Sequence, residues 1–392
     1  MRTLGVVVLL LVTAAAARAQ EDAPPETERL TVRGEAGLEI DNNAHRTEIV
    51  AGAQNPPLVV SLVQRLVLSG ALSDTIAEGQ VVSMGATLAG KIFDAAAAAD
   101  EDVAIAQTSL AWQKSLGSVG ALTLSGAYYE AFQRASVSLA AAVERRDFRS
   151  LAPAVQLTWA AAEHLDLSVT GGYRWFVFKP DRDFDFQAPT AGVELRWARQ
   201  PDRGADWEAT FGAAYEYRTF GGPALTTDCP IAPPNMVPFG LACSGPNTRR
   251  DSFAIGHIEL TRVGRVLAGV GYALQGNRSN SYGETVIRNA VSARVALRLP
   301  GLLMLAARGD LLFAHYTEHQ VIGQTTIVSG NSIESIDNEN RSTVRVDLSR
   351  DLTERLRLLA RYTFYANEIA TGSNLTYRRQ TALLSLLLTL DK

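Results

Sequence analysis

Strict alternation of polar and apolar residues runs through most of the chain and limits its fold more than any other feature. From Thr343 to Ser349 the odd positions are polar and the even positions are apolar. After the polar step DLTE, the alternation resumes from Leu356 to Phe364. A period of two residues is typical of a β-strand, because successive side chains leave the pleated backbone on opposite faces. The two segments therefore predict a β-hairpin.

The same pattern repeats often enough to predict about sixteen strands, each roughly 9–17 residues long. No segment sustains the 3.6-residue period of a helix, and the alanine-rich stretch 95–106 is interpreted as part of a loop. The predicted strands are 29–41, 58–72, 79–93, 103–115, 119–133, 147–160, 164–178, 187–199, 206–220, 251–262, 264–276, 284–299, 301–316, 342–350, 355–367 and 375–390.

The connections between these strands alternate in length. Short links such as RLPG and RDLTER follow the even-numbered strands, whereas long ones follow the odd-numbered strands, including the stretch from Gly221 to Arg250. An even number of strands with short turns at one end and long loops at the other is typical of a transmembrane barrel. We therefore predict an all-β fold, an up-and-down antiparallel transmembrane β-barrel of about 16 strands with short periplasmic turns and long extracellular loops.

A secreted β-sandwich or solenoid is the alternative, because a soluble sheet also has one apolar and one polar face. Three features favour the membrane. The strands are longer than the usual 5–6 residues, and the apolar faces contain much alanine and glycine. Aromatic residues also gather at strand ends, for example Trp159, Trp197, Trp207 and Tyr215, as in the aromatic belts of membrane proteins.

The amino terminus predicts export. Arg2 precedes an apolar run from Leu4 to Val12, and small residues at Ala17 and Ala19 complete a signal-peptide pattern. We expect cleavage after Ala19 or Gln20, and divide the chain into a signal peptide over 1–19, a short periplasmic leader over 20–28 and a barrel over 29–392. No run of 18 apolar residues follows the signal peptide, so no transmembrane helix is expected. The mature chain is therefore expected to be exported and, if it meets a membrane, to cross it without helices.

Charged residues on the polar faces are expected to point into the barrel. Arginines around a confined pore favour anions. Alternatively, the charges pair across strands and only stabilise the wall. The residues predicted to line the pore are Arg174, Arg196, Arg218, Arg288, Arg294, Arg298, Arg308, Arg345, Arg357, Arg361, Glu194, Glu216, Asp310 and Asp347.

The two cysteines, Cys229 and Cys243, lie in the longest predicted loop. In an oxidising compartment, two cysteines this close in a loop rich in proline and glycine predict a disulfide. The loop could fold into the barrel as a constriction or stay outside it as a lid or docking element.

Catalytic and metal-binding patterns are weak. HYTEH, from His315 to His319, matches a zinc motif that requires a helix, but here it follows a predicted strand. Asp181, Asp183 and Asp185 resemble an acidic cation loop, but Lys179 and Arg182 surround them. No GxSxG motif, phosphate-binding glycine loop or basic nucleic-acid patch occurs, and the net charge is −4. We therefore predict no catalytic site, no metal site, no cofactor and no nucleic-acid partner.

The mature chain resembles Gram-negative outer-membrane barrels of the porin-like kind. Its last segments, RLLARYTFYANE and SNLTYRRQTALLSLLLTL, also resemble the final hairpins of barrels that accompany polysaccharide export or surface-protein assembly, through Tyr377 and Arg378. The resemblance implies contact with outer-membrane lipids, lipopolysaccharide and the barrel-assembly machinery. Polymer export would also require a separate periplasmic partner, since only the short leader precedes the first strand.

The chain departs from many such barrels at its end, which reads Leu390-Asp391-Lys392 rather than finishing on an aromatic residue. From these patterns we predict a passive aqueous channel for polar solutes or for an exported polymer such as polysaccharide. The alternative is a non-conducting structural or surface-recognition barrel that acts through its extracellular loops. An enzyme is not expected.

Overall fold

The protein is described by a computed structural model covering residues 29–44, 49–50, 58–137, 142–145, 147–179, 181–199, 206–227, 243–317, 342–366, 369–370, 375–376 and 378–391. The predicted signal peptide and leader lie outside these residues. In the described part of the chain, sixteen long strands form the wall. They are β1 Arg29–Asp41, β2 Ser61–Ala77, β3 Gln80–Phe93, β4 Val103–Ser115, β5 Gly120–Val137, β6 Phe148–Ala162, β7 Leu165–Phe178, β8 Phe186–Arg199, β9 Asp206–Thr226, β10 Cys243–Val263, β11 Val266–Ser279, β12 Val286–Leu299, β13 Leu303–Tyr316, β14 Ser342–Asp351, β15 Leu356–Ala366 and β16 Arg378–Asp391.

The strands close into one antiparallel barrel. Each strand pairs with its neighbours in the sequence, and β1 also pairs with β16, where Leu38 lies opposite Leu384. Closure matters because an open edge would leave unpaired backbone N–H and C=O groups in the lipid. The predicted all-β barrel of about sixteen strands is confirmed.

Short turns occupy one end of the barrel, which we call the short-turn end. Glu78 and Gly79 join β2 to β3, and Gly79 has a φ of 63° that suits glycine in a tight turn. At the opposite end, the long-loop end, residues 317–341 separate β13 from β14.

Two predicted boundaries were wrong at the long-loop end. The segment from Gly221 to Arg250 was expected to be a loop, but β9 continues to Thr226 and β10 begins at Cys243. These extensions pair beyond Thr219 and Arg250 with irregular register. Glycine, proline and polar residues interrupt the alternation there, so the sequence pattern loses the strands before the backbone pairing ends.

Smaller elements complete the long-loop end. Short 3₁₀-helices span Ala96–Glu101 and Arg182–Phe184, and a third, Gly117–Val119, lies at the short-turn end. Two-residue strands at Ile49–Val50 and Leu375–Thr376 pair with each other. Further short segments are Ala142–Arg145, paired with the end of β5, and Ile369–Ala370, paired with β13.

The outer surface of the barrel is apolar. Leu66 on β2 is 63% exposed, and Leu88, Val270 and Leu384 on distant strands are also mostly exposed. Water-soluble proteins rarely expose continuous apolar surface of this extent. An apolar outer face with polar residues inside is the arrangement of a membrane barrel, and it excludes the soluble sandwich.

Aromatic residues border this apolar band on both sides. Outward-facing Trp112, Trp159, Trp197 and Trp207 lie near the short-turn end. Near the long-loop end the border is formed by Tyr173, Trp175, Tyr215, Tyr272 and Tyr362. Trp207 and Tyr215 are eight positions apart on β9, about 27 Å along a strand, or about 21 Å of depth at a 40° tilt. We take the strand segments between these two girdles as membrane-spanning.

The described residues contain no helix that is both long and apolar enough to span a bilayer.

Candidate functional site: the lumen

Alternate residues of each strand point into the barrel and form its inner wall. On β7, Val169 and Trp175 are exposed on the outside, whereas Ser168 and Arg174 are buried on the inside. All fourteen residues predicted to line a pore belong to this inner face. They are Arg174, Arg196, Arg218, Arg288, Arg294, Arg298, Arg308, Arg345, Arg357, Arg361, Glu194, Glu216, Asp310 and Asp347.

Exposure to water on the inner face changes along the barrel axis. In the half next to the long loops, which we call the long-loop half, even large charged side chains such as Lys91, Glu39 and Arg379 are buried. In the opposite, short-turn half, Arg294 and Arg308 are 49% and 56% exposed. Burial in the long-loop half extends around the wall from β1 to β16, whereas in the short-turn half buried residues such as Ser349 and Leu359 alternate with exposed arginines.

Four of the fourteen residues lie in the long-loop half. Arg174, Arg218, Arg288 and Glu216 point inward, but each is at most 7% exposed. The sequence predicted that these four side chains line a water-filled pore, but the structure shows them buried. Inward orientation follows from the strand period, whereas exposure depends on what covers the side chain, which periodicity does not reveal.

A buried ion pair lies at the seam where the first and last strands meet. Arg379 on β16 binds Asp41 on β1, with Nε 3.0 Å from Oδ1 and 2.9 Å from Oδ2. The backbone N–H of Asn43 donates to Asp41 as well, at 3.0 Å. The guanidinium of Arg379 also lies over the ring of Tyr365, 5.3 Å from its centroid. These contacts stabilise the charges and tie β1, β15 and β16 together.

A second buried ion pair crosses three strands. Lys91 on β3 reaches past β2 and donates from Nζ to both carboxylate oxygens of Glu39 on β1, at 2.9 and 3.2 Å. Closer to the short-turn end, Arg65 on β2 donates from Nε to Glu35 Oε1 on β1 at 2.7 Å. The wall next to the seam is therefore fastened by direct charge pairs.

A row of phenylalanine rings covers the inner wall from β6 to β9. Phe148, Phe176, Phe186 and Phe220 follow one another on successive strands, with centroids 5.3, 4.8 and 5.2 Å apart. Such spacings are typical of favourable aromatic pairs. With Val103, Ile105 and other apolar residues, these rings form a buried hydrophobic cluster inside the barrel. The long-loop half therefore has a small core of its own.

Charged groups pack against this aromatic row. The guanidinium of Arg218 lies 5.3 Å from the ring of Phe186 and 4.7 Å from that of Phe253. Arg218 Nε donates to Glu216 Oε1 at 2.5 Å, and Arg174 Nη1 lies 3.2 Å from Glu216 Oε2. Burial of a charge is costly unless it is paired and hydrogen-bonded. The Glu216 carboxylate is paired with both arginines and accepts a hydrogen bond from Arg218.

The loop between β11 and β12 folds back onto the wall, beyond the aromatic girdle that lies near the long-loop end. Tyr282 N–H donates to the carbonyl of Leu225 at 3.0 Å, and Ser281 Oγ accepts from Leu225 N–H at 2.9 Å. The buried carboxylate of Glu284 receives a hydrogen bond from Arg249 Nη2 at 2.9 Å. Arg249 binds Asp251 with the same nitrogen at 2.8 Å. The outward neighbour of these two residues, Arg250, is exposed, which places the network outside the membrane-spanning segments.

Burial affects the protonation of this network. It raises the pKa of the Glu284 carboxyl above its ordinary value of 4.5, although Arg249 opposes the change. Burial alone would lower the pKa of Arg249, but Asp251 and Glu284 outweigh it and the pKa of Arg249 is raised. Glu284 Oε1 has no hydrogen-bond partner within the described residues. The loop is thus held through a carboxyl group whose burial disfavours its charged form.

The short-turn half carries ion pairs whose exposure ranges from largely buried Arg361 to half-exposed Arg308. Arg308 donates to Asp310 from Nε and Nη2 at 2.8 and 3.2 Å. Arg345 and Arg361 both bind Asp347 from their Nε atoms, each at 2.9 Å. The wall in this half is charged and hydrogen-bonded, and it is accessible to water at Arg308 and in part at Arg345.

His257 occupies an unusual position on β10 between the two halves. Both ring nitrogens are buried without a hydrogen-bond partner within the described chain, and Nε2 lies 4.0 Å from Glu194 Oε2. The ring lies over Gly212 of β9, where a Cβ atom would come within 2.1 Å of His257 Cε1. Glycine at 212 therefore makes room for the imidazole.

The weak motifs do not form sites in the described residues. His315 is exposed at the end of β13, and His319 lies outside them. Asp181 Oδ1 accepts the N–H of Asp183 at 3.0 Å, and Asp185 Oδ1 accepts that of Phe178 at 2.7 Å, so both carboxylates hold the loop backbone. No cluster of three potential metal ligands occurs in the described ranges. Cys229 lies outside them, and the disulfide stays a prediction.

The sequence did not reveal several of the charged residues that point inward in the long-loop half. Lys91 has apolar inward neighbours on β3, Ala89 and Phe93, so the polar face was not recognised there. Arg249 and Asp251 fell into or beside the predicted loop, because the strand β10 begins earlier than expected. The i, i+2 spacing of Arg249 and Asp251, which is strand spacing, could have identified them.

Comparisons with known proteins show similarity at the level of the fold. No family model matches the chain, and no curated protein matches it. Solved structures that resemble it include CdiB from Acinetobacter baumannii, with 9% identity, a TM-score of 0.46, and coverage of 92% of this chain and 60% of that chain. The outer membrane protein opdK from Pseudomonas aeruginosa has 11% identity, a TM-score of 0.45, and coverage of 94% and 100%.

An anion-selective porin from Comamonas acidovorans has 12% identity, a TM-score of 0.43, and coverage of 93% of this chain and 100% of that chain. The chain thus spans 60% of the length of CdiB and the whole length of the other two. These identities and scores carry no argument about solute or partner. The closed sixteen-stranded barrel with an apolar outer face has the porin-like fold of outer-membrane barrels.

Proposed function

We propose that this barrel is a passive channel of the outer membrane that admits small polar solutes by diffusion through water. The observation that carries the proposal is the exposed, charged inner wall of the short-turn half, where Arg294 and Arg308 are about half exposed behind an apolar outer face. A wall of this kind supports hydrated solutes in its interior while the outer face contacts lipid.

In this mechanism the paired charges keep the lumen hydrated. The pairs Arg308–Asp310 and Arg345–Asp347 offer hydrogen-bonding surface along the route of a solute. The long-loop half limits passage, because its inner wall is packed with the phenylalanine row and with buried ion pairs. Size selection would therefore take place in that half and charge selection in the other.

The second candidate is a non-conducting barrel that acts through its long-loop end. It is supported by the burial of inward charged residues from Asp41 on β1 to Arg379 on β16, since a wide water-filled channel would expose them. In this case the barrel serves as a scaffold for the long loops. Polymer export with a periplasmic partner, binding of lipopolysaccharide, recognition by the assembly machinery, removal of residues 1–19 and the absence of catalysis all stay predictions.

Conductance in planar lipid bilayers separates the two candidates. The purified full-length protein is expected to produce stepwise currents in potassium chloride, because the lumen contains water and mobile ions. Arg294→Ala and Arg361→Ala are expected to lower the preference for chloride over potassium, measured as the reversal potential in a salt gradient. The absence of any opening over the accessible voltage range would favour the scaffold and rule out the channel.

A further inference from the structure

Three arginines stand side by side on neighbouring strands of the short-turn half. Arg294 on β12 lies directly opposite Arg308 on β13, and Arg308 lies directly opposite Arg345 on β14. All three belong to the inner face, and we call them the arginine row. Neighbouring strands are about 4.8 Å apart, so the backbone positions of the row span about 10 Å across the wall.

This arrangement is unfavourable for the wall itself. Like charges directly opposite each other across strands destabilise a sheet. Each arginine reduces the repulsion by binding an acid, Glu259, Asp310 or Asp347. Arg294 reaches its partner by passing over Gly269, where a Cβ atom would lie 2.8 Å from Arg294 Nε.

The acids do not use all the donors of Arg308 and Arg294. A guanidinium has five N–H donors, and Arg308 gives only two hydrogen bonds, both to Asp310. Within the described residues the remaining donors of Arg308 meet no acceptor, and its side chain is 56% exposed. Arg294 is 49% exposed and uses Nη2 for both of its hydrogen bonds, to Glu259 and Thr261.

The charge around the row is one-sided. The inner faces of β12 to β15 carry seven arginines and three aspartates in the described strands. Across the lumen, the short-turn parts of β3, β5 and β6 present uncharged polar residues such as Ser83, Thr123 and Thr158. An excess of positive charge on one wall facing a neutral wall concentrates anions near the positive side.

We propose that the arginine row is a binding site for multivalent anions whose carboxylate or phosphate groups are about 5 Å apart, matching the strand spacing. The planar guanidinium binds such groups with two parallel hydrogen bonds. The inference deepens the proposed function and rests on it for the route by which the ligand arrives. The row would hold an anionic solute at the wall before it reaches the packed half.

The site can be tested with inorganic tripolyphosphate and the full-length protein in detergent, by titration calorimetry. We expect Arg308→Gln to weaken binding about tenfold, as for the loss of one charge-assisted contact, and Arg294→Gln with Arg308→Gln to weaken it further. Asp310→Asn is expected to strengthen binding, because it removes a competing carboxylate. Arg33→Gln is the matched control. Arg33 is also exposed on the inner face, but Ser69 and Thr389 flank it instead of arginines.

The outcomes are distinct from those of the conductance experiment, because calorimetry in detergent does not require ion flow. A heat-modifiability assay on gels establishes that each variant is folded. The site would be overturned if the wild-type protein bound no tripolyphosphate, or if Arg33→Gln weakened binding as much as Arg308→Gln. Binding without any bilayer current would leave the site intact and remove only the channel.

Discussion

At the scale of single residues, the inner wall contains two kinds of ion pair that look alike in the sequence. Arg379 and Asp41 are almost completely buried, whereas Arg357 and Asp351 are 44% and 47% exposed. Both are arginine–aspartate pairs between adjacent parts of the wall. Their energetic consequences differ because removing one partner of a buried pair leaves a charge without water or counter-charge.

Arg379→Ala should therefore destabilise the barrel far more than Arg357→Ala. We expect a loss of about 3–5 kcal/mol in the free energy of unfolding for the buried pair and less than about 1 kcal/mol for the exposed pair. Urea unfolding in lipid vesicles, followed by tryptophan fluorescence, measures both. Similar losses for the two variants would contradict the difference in burial that the structure assigns to them.

At the scale of the strand, the two faces differ in solvent. Val169 lies outward near the middle of β7, and its neighbour Thr170 lies inward. Val169→Arg should cost about 2–4 kcal/mol of folding free energy, as expected for a charge at the bilayer midplane. Thr170→Arg introduces the same charge one residue away and should cost much less, because the lumen can solvate it. Unfolding in vesicles compares the two, and equal costs would mean that the faces are assigned wrongly.

The folded-back loop between β11 and β12 gives a prediction about pH. Because the pKa of Glu284 is raised in the folded protein, the folded state holds this proton more tightly than the unfolded state. This contribution is present below the ordinary value of 4.5 and is lost as the pH rises through the folded pKa. Glu284→Gln should remove that decline in the free energy of unfolding. A variant whose pH dependence equals that of the wild-type protein would exclude Glu284 as its source.

The strands themselves were predictable because alternation is a local property of the sequence. The predicted range 103–115 coincides with β4, and 29–41 coincides with β1. The exterior aromatic residues were assigned correctly for the same reason. Trp207 and Tyr215 share one face of β9 whatever the rest of the barrel does.

The filling of the lumen could not be predicted in this way. Phe176 and Phe178 lie on the inner face of β7, the same face as Asp166, Ser168 and Arg174. No local sequence pattern indicates what these two rings pack against. Their neighbours come from other strands, such as Phe148 and Phe186. Likewise, Lys91 and Glu39 are far apart in the sequence, and only the closed sheet brings them within 2.9 Å.

At the scale of the whole molecule, the inner wall is packed in the long-loop half and carries exposed arginines in the short-turn half. The difference should be visible in chemical accessibility. In a background with Cys229→Ser and Cys243→Ser, a thiol at Arg298→Cys should react with a charged thiol reagent, since this position is exposed in the short-turn half. A thiol at Thr381→Cys, which is buried in the long-loop half, should react at least about tenfold more slowly, because thiol reactivity requires access. Equal rates would mean that water fills both halves.

The pairing of the first strand with the last also determines when the molecule can be completed. Asp41 and Arg379 are 338 positions apart, and the contact between them is made only once β16 has arrived. Until then two strands have unsatisfied hydrogen-bonding edges, which hydrocarbon tolerates poorly. A truncated chain lacking β16 should therefore fail to insert rather than insert as a smaller pore. Insertion of the barrel is therefore expected to be cooperative and to depend on the final strand, β16.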